Sequence, residues 1–134
     1  MKRFLLMTTC FAALGVTVVA QDDAEYHGWM KSVGATSGSL RKNLEAKNAD
    51  AAAADAKKLQ EIFGQVHTYW SDKKVDDAMK FAMNAGTGFG EIAGQAAAGK
   101  FEDASATLKT TSANCGGCHN AHREKSADGS WKIK

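Results

Sequence analysis

The 134-residue chain contains no proline at all. No ring therefore removes a backbone donor or forces a bend anywhere along it, and long helices are allowed throughout. Cysteine is scarce, with three in the chain, too few for the disulfide framework of a small secreted scaffold. Charge of one sign is missing too: 17 Lys and Arg stand against 15 Asp and Glu. No basic patch marks a nucleic-acid surface. There is no catalytic triad and no paired-carboxylate site, so an enzyme is not the expectation. Strand-like alternation of apolar and polar residues is absent as well, and the abundant Ala, Lys, Glu and Asp favour helix.

The first twenty residues differ from the rest. Lys2 and Arg3 precede an apolar run from Phe4 to Val19, and Ala20 offers a small residue for cleavage before Gln21. That pattern is a secretory signal. The run is short for a membrane span. Cys10 lies inside it, and the preceding Met7-Thr8-Thr9 does not resemble a lipoprotein signal. Removal after Ala20 leaves 114 residues, one domain over 21–134, with 15 basic residues against 15 acidic ones and two cysteines.

Four stretches carry helical periodicity. The first runs from about Asp23 to Lys47, with Tyr26, Trp29, Met30, Val33, Leu40 and Leu44 on one stripe and Asp22 or Asp23 to cap it. A second runs from about Ala49 to Trp70 on Leu59, Ile62, Phe63, Val66, Tyr69 and Trp70, with Asn48 or Asp50 at its start. Ser71-Asp72 is expected to break it and to cap a third, roughly Lys73 to Ala98, with Val75, Ala78, Met79, Ala82, Phe89, Ile92 and Ala96 inward. Within that third stretch Gly86, Gly88 and Gly90 are costly in a helix, so they mark a kink or a close approach of backbone to a bound group. Gly99 suits a helix C-terminus. The fourth stretch, Phe101 to about Lys125, aligns Phe101, Ala104, Leu108, Cys115 and His119. Four amphipathic helices on short loops make an all-α, antiparallel four-helix bundle. The tail, residues 126–134, is polar apart from Trp131 and Ile133 and is expected to be loosely ordered.

Cys115-Gly116-Gly117-Cys118-His119 carries the chemistry. Two thiols three apart with an imidazole next to the second form the C-x-x-C-H pattern of covalent haem attachment. Each thiol adds across one haem vinyl group, and the adjacent His binds iron from below. Three other readings stand beside it. A zinc site would need further ligands, His122 being the nearest candidate. A thioredoxin-like pair would sit beside a βαβ unit, which the pattern lacks. The third is a chance motif with structural thiols; a disulfide across so short a loop would stabilise little. Export agrees with haem, since in bacteria covalent attachment follows translocation.

A C-x-x-C-H motif in the last of four helices, near the C-terminus, resembles the class II cytochromes c: cytochrome c′ and its low-spin relatives of the cytochrome c556 type. The family's signature continues with an aromatic and a basic residue. Here these positions are His122, a departure, and Arg123, whose counterpart lies near the haem propionates. The resemblance implies one covalent haem c on Cys115 and Cys118, His119 as proximal iron ligand, and a distal position on the first helix. Met30-Lys31-Ser32-Val33-Gly34 is similar to the Met-Lys-x-x-Gly stretch in which that Met binds iron in the low-spin members. His27, on the same helix face, is the alternative ligand. Tyr26 stands where many members carry a basic residue. Met79 and Met83 are expected in core or surface, His67 in a structural role, and Trp29, Phe63, Trp70 and Phe89 as haem wall or bundle core. The function implied is a periplasmic electron carrier meeting redox partner proteins, as monomer or homodimer. A five-coordinate cytochrome c′ binding nitric oxide or carbon monoxide is the second possibility.

Overall fold

The computed structural model describes residues 22–134; the proposed signal segment and Cys10 lie outside them. Among the described residues four helices follow one another: α1 Asp23–Glu45, α2 Ala49–Asp72, α3 Asp76–Ala97 and α4 Phe101–His122. They pack against each other in the manner of a bundle, α1 on α2, α2 on α3 and α3 on α4. No helix among these residues is long and apolar enough to cross a membrane.

The first two helices start on side-chain caps. Asp22 Oδ1 accepts the Glu25 N–H at 2.8 Å, and Asn48 Oδ1 that of Ala51 at 3.2 Å. The third does not start as expected. Ser71 and Asp72 remain helical, and α3 follows Val75 without any side-chain cap. What stops α2 is a left-handed residue two places on. Lys74 has φ 57°, its N–H reaches Ser71 O, and the Val75 N–H reaches Trp70 O. The same pair of bonds recurs around Lys47 (φ 55°) after α1 and Gly99 (φ 71°) after α3. Each connection is thus a three-residue Schellman turn, which reverses the chain and makes neighbouring helices antiparallel.

Ala52, Ala53, Ala56, Ala93, Ala96 and Ala104 are buried at one end of the bundle together with Leu44, and Ala78, Ala82 and Ala85 are buried further along α3. At the second end Tyr26, Phe63, Tyr69 and Trp70 are buried, and α1 has few contacts with α4. Tyr26 and Tyr69 lie 4.5 Å apart by ring centroid, and Trp70 meets both edge-on. Phe63 stacks on Phe89 at 5.5 Å.

Gly88 and Gly90 of α3 face side chains of neighbouring helices. A Cβ on Gly88 would fall against Thr111 Oγ1 on α4 and 2.8 Å from its Cγ2, and one on Gly90 would stand 2.6 Å from Gln60 Nε2 on α2. The helix α3 runs unbroken through them.

The tail departs from expectation. Instead of a loose end it forms an antiparallel hairpin, β1 Arg123–Lys125 against β2 Trp131–Ile133, so α4 ends at His122 rather than near Lys125. Asp128 Oδ1 accepts the backbone N–H and the hydroxyl of Ser130 at 2.9 and 2.7 Å, and Gly129 takes φ 83°. The end is tied back by the Lys134 N–H to His122 O at 3.1 Å and by Lys134 Nζ to Asn120 O at 3.1 Å.

Candidate functional site

Helical spacing sets one stripe of α4: Thr111, Cys115, Cys118 and His122 follow at four, three and four residues. Thr111 is buried against α3, whereas Cys115, Cys118 and His119 are only half-buried. The second half of α4 contributes no fully buried residue beyond Thr111. The groove it leaves open lies toward the aromatic end of the bundle.

Two adjoining cavities occupy that groove. The larger encloses about 410 Å³ and is bounded by Tyr26, His27, Met30 and Lys31 of α1, by Cys118, His119 and His122 of α4, by Arg123, and by Ser130 to Ile133 of the hairpin. The smaller, about 30 Å³, runs inward, where Cys115 joins Cys118 and His119, and Val33, Phe63, Val66, Phe81 and Ala82 give it an apolar lining. Met30, Tyr26, Cys118 and His119 border both. His27 borders only the outer one.

Every residue singled out for cofactor binding therefore lies on this space. Met79 is instead packed against the core, Met83 is exposed, and His67 is half-buried away from both cavities. Phe63 lines the inner cavity, whereas Trp70 and Phe89 are core. Trp29 packs on the cluster, edge-on to Tyr26 at 6.4 Å.

Partial burial sets the electrostatics of the site. Burial holds both thiols protonated, pushing Cys118 up to about 11, with Cys115 and Asp77 adding to it. Burial also pushes the His119 imidazole down, and the Arg123 cation adds to the effect. His119 is therefore neutral near pH 7 and offers a nitrogen lone pair, the form a metal takes. Burial raises the Tyr26 phenol to about 12, so it stays uncharged beside Met30. His122 does not join the thiols. Its Nε2 donates to Asp77 Oδ2 of α3 at 2.9 Å, and its ring lies 5.1 Å from Trp70. That hydrogen bond is the main reason the Asp77 carboxyl lies below its ordinary range.

Several of these groups carry no sign in the motif itself. Phe81 closes on Gly117, where a Cβ would meet its ring at 2.6 Å; its place three residues after Ala78 and four before Ala85 puts it on the buried face of α3. The hairpin wall had a signal in Asp128-Gly129, a turn dipeptide ahead of Trp131.

Among the described residues no group of three or more His, Cys, Asp or Glu comes together as a metal site, which leaves the zinc reading without its ligand set. A macrocycle that brings four ligands of its own needs fewer from the chain. The space lies within the range of about 300–1,000 Å³ usual for cofactor pockets. Two thiols and a neutral imidazole share one wall, and a thioether lines the space from α1. Arg123 Nε is buried without a hydrogen-bond partner. These residues fit a haem held by its edge. No family model, no curated protein and no solved structure matches this chain.

Proposed function

We propose that this protein is a monohaem c-type cytochrome that carries single electrons between redox partner proteins in the periplasm. Cys115 and Cys118 would hold haem c covalently, with His119 as proximal iron ligand and Met30 as distal ligand. The observation that carries the reading is the convergence of Met30, Cys118 and His119 on both cavities, with Cys115 on the inner one. These residues come from the two ends of the chain, and folding brings them to one space.

When bound, haem supplies a one-electron iron couple. The chain's own part is to choose ligands and exclude water. His119 is kept neutral by burial and can donate its lone pair. The Met30 thioether, as a ligand, would favour ferrous iron and raise the potential. Val33, Phe63, Val66, Phe81 and Ala82 keep the inner cavity apolar. Arg123 at the outer cavity brings a permanent cation toward the cofactor carboxylates. Location in the periplasm rests on the amino-terminal signal pattern.

Met30 is favoured over His27 because it borders the inner cavity with Cys115, whereas His27 borders only the outer one beside Lys31. A visible spectrum tests the assignment. Protein unfolded in denaturant keeps its haem colour through the thioether bonds. The oxidised form shows a sulfur-to-iron band in the far red, and Met30→Ala loses it and becomes high-spin and sensitive to carbon monoxide. A wild-type protein that is already high-spin and changes with carbon monoxide refutes Met30 ligation and makes the chain a gas binder. Complete loss of haem on unfolding refutes the whole assignment.

A further inference from the structure

The carboxy-terminal hairpin borders the cavity where a bare four-helix bundle would leave it open. Alternation along its two short strands puts Arg123, Lys125, Trp131 and Ile133 on one face. Lys125 pairs directly with Trp131, and Arg123 with Ile133, so Arg123 and Trp131 are diagonal neighbours. The Arg123 guanidinium carbon stands 3.9 Å from the centre of the Trp131 ring, and Lys125 Nζ stands 5.4 Å from it. Ile133 packs against the bundle core. Arg123, Trp131 and Ile133 all border the larger cavity.

Stacking occupies a face of a planar guanidinium and leaves its in-plane N–H donors free. Arg123 is in that condition: it makes no salt bridge among the described residues, and its Nε is buried without a partner. A buried donor left unmade costs about 1–3 kcal/mol, and an acceptor on a group in the cavity removes that cost. Trp131 is itself 47% exposed, a large apolar ring kept at the surface by what it holds rather than by its own burial.

We propose that Trp131 is a positioning residue, which stacks on Arg123 and holds its guanidinium toward the carboxylates of the cofactor, while the hairpin roofs the cavity. The proposal rests on the haem reading given above. Trp131 acts through Arg123, whose positive charge favours reduced iron and keeps the neighbouring carboxylates ionised.

The test is a double-mutant cycle on the haem-loaded protein, read by redox titration across pH. Trp131→Ala is expected to lower the reduction potential and to move its carboxylate-linked pH dependence to higher pH. Trp131→Phe, which keeps a stacking face, is expected to restore most of both. In an Arg123→Gln background, Trp131→Ala is expected to have no further effect, because coupled residues do not add. Equal effects of Trp131→Ala with and without Arg123, or no effect at all, would overturn the proposal and leave Trp131 as plain cover. In the haem-free chain the Arg123 Nε–H resonance is expected upfield from the ring current, retained in Trp131→Phe and lost in Trp131→Ala. An unshifted resonance in the wild type overturns the stacking even if Trp131→Ala proves unstable. A chain that carries no covalent haem fails the functional reading instead, a result seen in the denatured spectrum before any potential is measured.

Discussion

Replacing Gly88 by Ala should destabilise the protein relative to the same change at Gly94, six residues along the same helix. Both sites are helical, so each substitution gains about 0.5–1 kcal/mol from helix propensity. At Gly94 the new methyl meets nothing within 4 Å, and the gain stands. At Gly88 it would press on Thr111 Oγ1, 2.8 Å from Cγ2 and 3.0 Å from Cβ. The obstacle is a β-branched side chain buried to 3% exposure, with no flexible end to swing aside. Overpacking of this sort costs about 1–3 kcal/mol. The two variants should therefore differ by about 1–3 kcal/mol, with Gly94→Ala above wild type and Gly88→Ala at or below it. In urea, with a slope of about 1–3 kcal/mol/M, midpoints should separate by roughly 1 M at unchanged slope. Thr111→Ala removes the two nearest atoms, so the Gly88→Ala/Thr111→Ala double variant should recover part of the loss beyond additivity. Gly88→Ala matching Gly94→Ala would refute the close crossing of α3 and α4. The crossing bears on the site because Thr111 is one turn before Cys115 on the same stripe. An α4 pushed away from α3 shifts both thiols.

Lys74 and Lys47 hold left-handed backbone at φ 57° and 55° where Gly99 does so freely. Left-handed geometry costs a side-chain residue about 1–2 kcal/mol. Lys74→Gly should therefore raise the urea midpoint by the equivalent of about 0.5–1 kcal/mol after the entropy of the added glycine, and an unchanged or lower midpoint counts against the strain. Tyr69→Phe should move the Asp23 carboxyl titration upward in NMR, because the 2.7 Å hydrogen bond from the Tyr69 hydroxyl is the main reason this carboxyl lies below its ordinary 3.8. A depressed carboxyl stabilises the fold above its unfolded value, and that contribution disappears as pH falls through the folded value. The stability gap between wild type and Tyr69→Phe should therefore narrow below about pH 4; a gap constant with pH would remove Asp23 from the account.

Local signals were legible where the cause is local. Asp22 and Asn48 cap as their positions suggest, Gly99 takes the left-handed turn, and the stripes of α2 and α3 bury most of the residues that periodicity selects, while on α1 Tyr26, Leu40 and Leu44 are buried and Trp29, Met30 and Val33 only partly so. The errors fall where the cause is distant or generic. Ser71-Asp72 reads as a cap, yet the turn is made by Lys74, a residue type that carries no left-handed preference. Gly86 to Gly90 reads as a kink or an approach to a bound group, whereas Gly88 and Gly90 face Thr111 and Gln60 on other helices, which nothing local in the sequence marks. The tail was read by its polarity. Its strands are three residues each, too short for alternation to register, and only Asp128-Gly129 marked the turn.

Helix order explains why the motif and Met30 come to share a cavity. The near end of the bundle buries Ala52, Ala56, Ala93, Ala96 and Ala104 with Leu44. At the far end Tyr26, Tyr69 and Trp70 pack on one another, and Phe63 stacks on Phe89. Beside these rings lies the space bordered by α1 and α4. Antiparallel order then decides what faces this space: the start of α1 lies opposite the end of α4, so Tyr26, His27 and Met30 stand across from Cys115, Cys118 and His119. On this account Met30 and the motif need each other only through the fold. Shrinking the far end should therefore damage the site without touching a ligand. Tyr69→Ala removes a ring that supports Tyr26 at 4.5 Å, and it should cost about 3–5 kcal/mol as a buried aromatic truncation. In the haem-loaded protein it should also weaken the far-red sulfur-to-iron band, since α1 loses the surface that positions Met30. A variant that unfolds more easily yet keeps that band at full intensity would show that Met30 is held by α1's own contacts and not by the aromatic end.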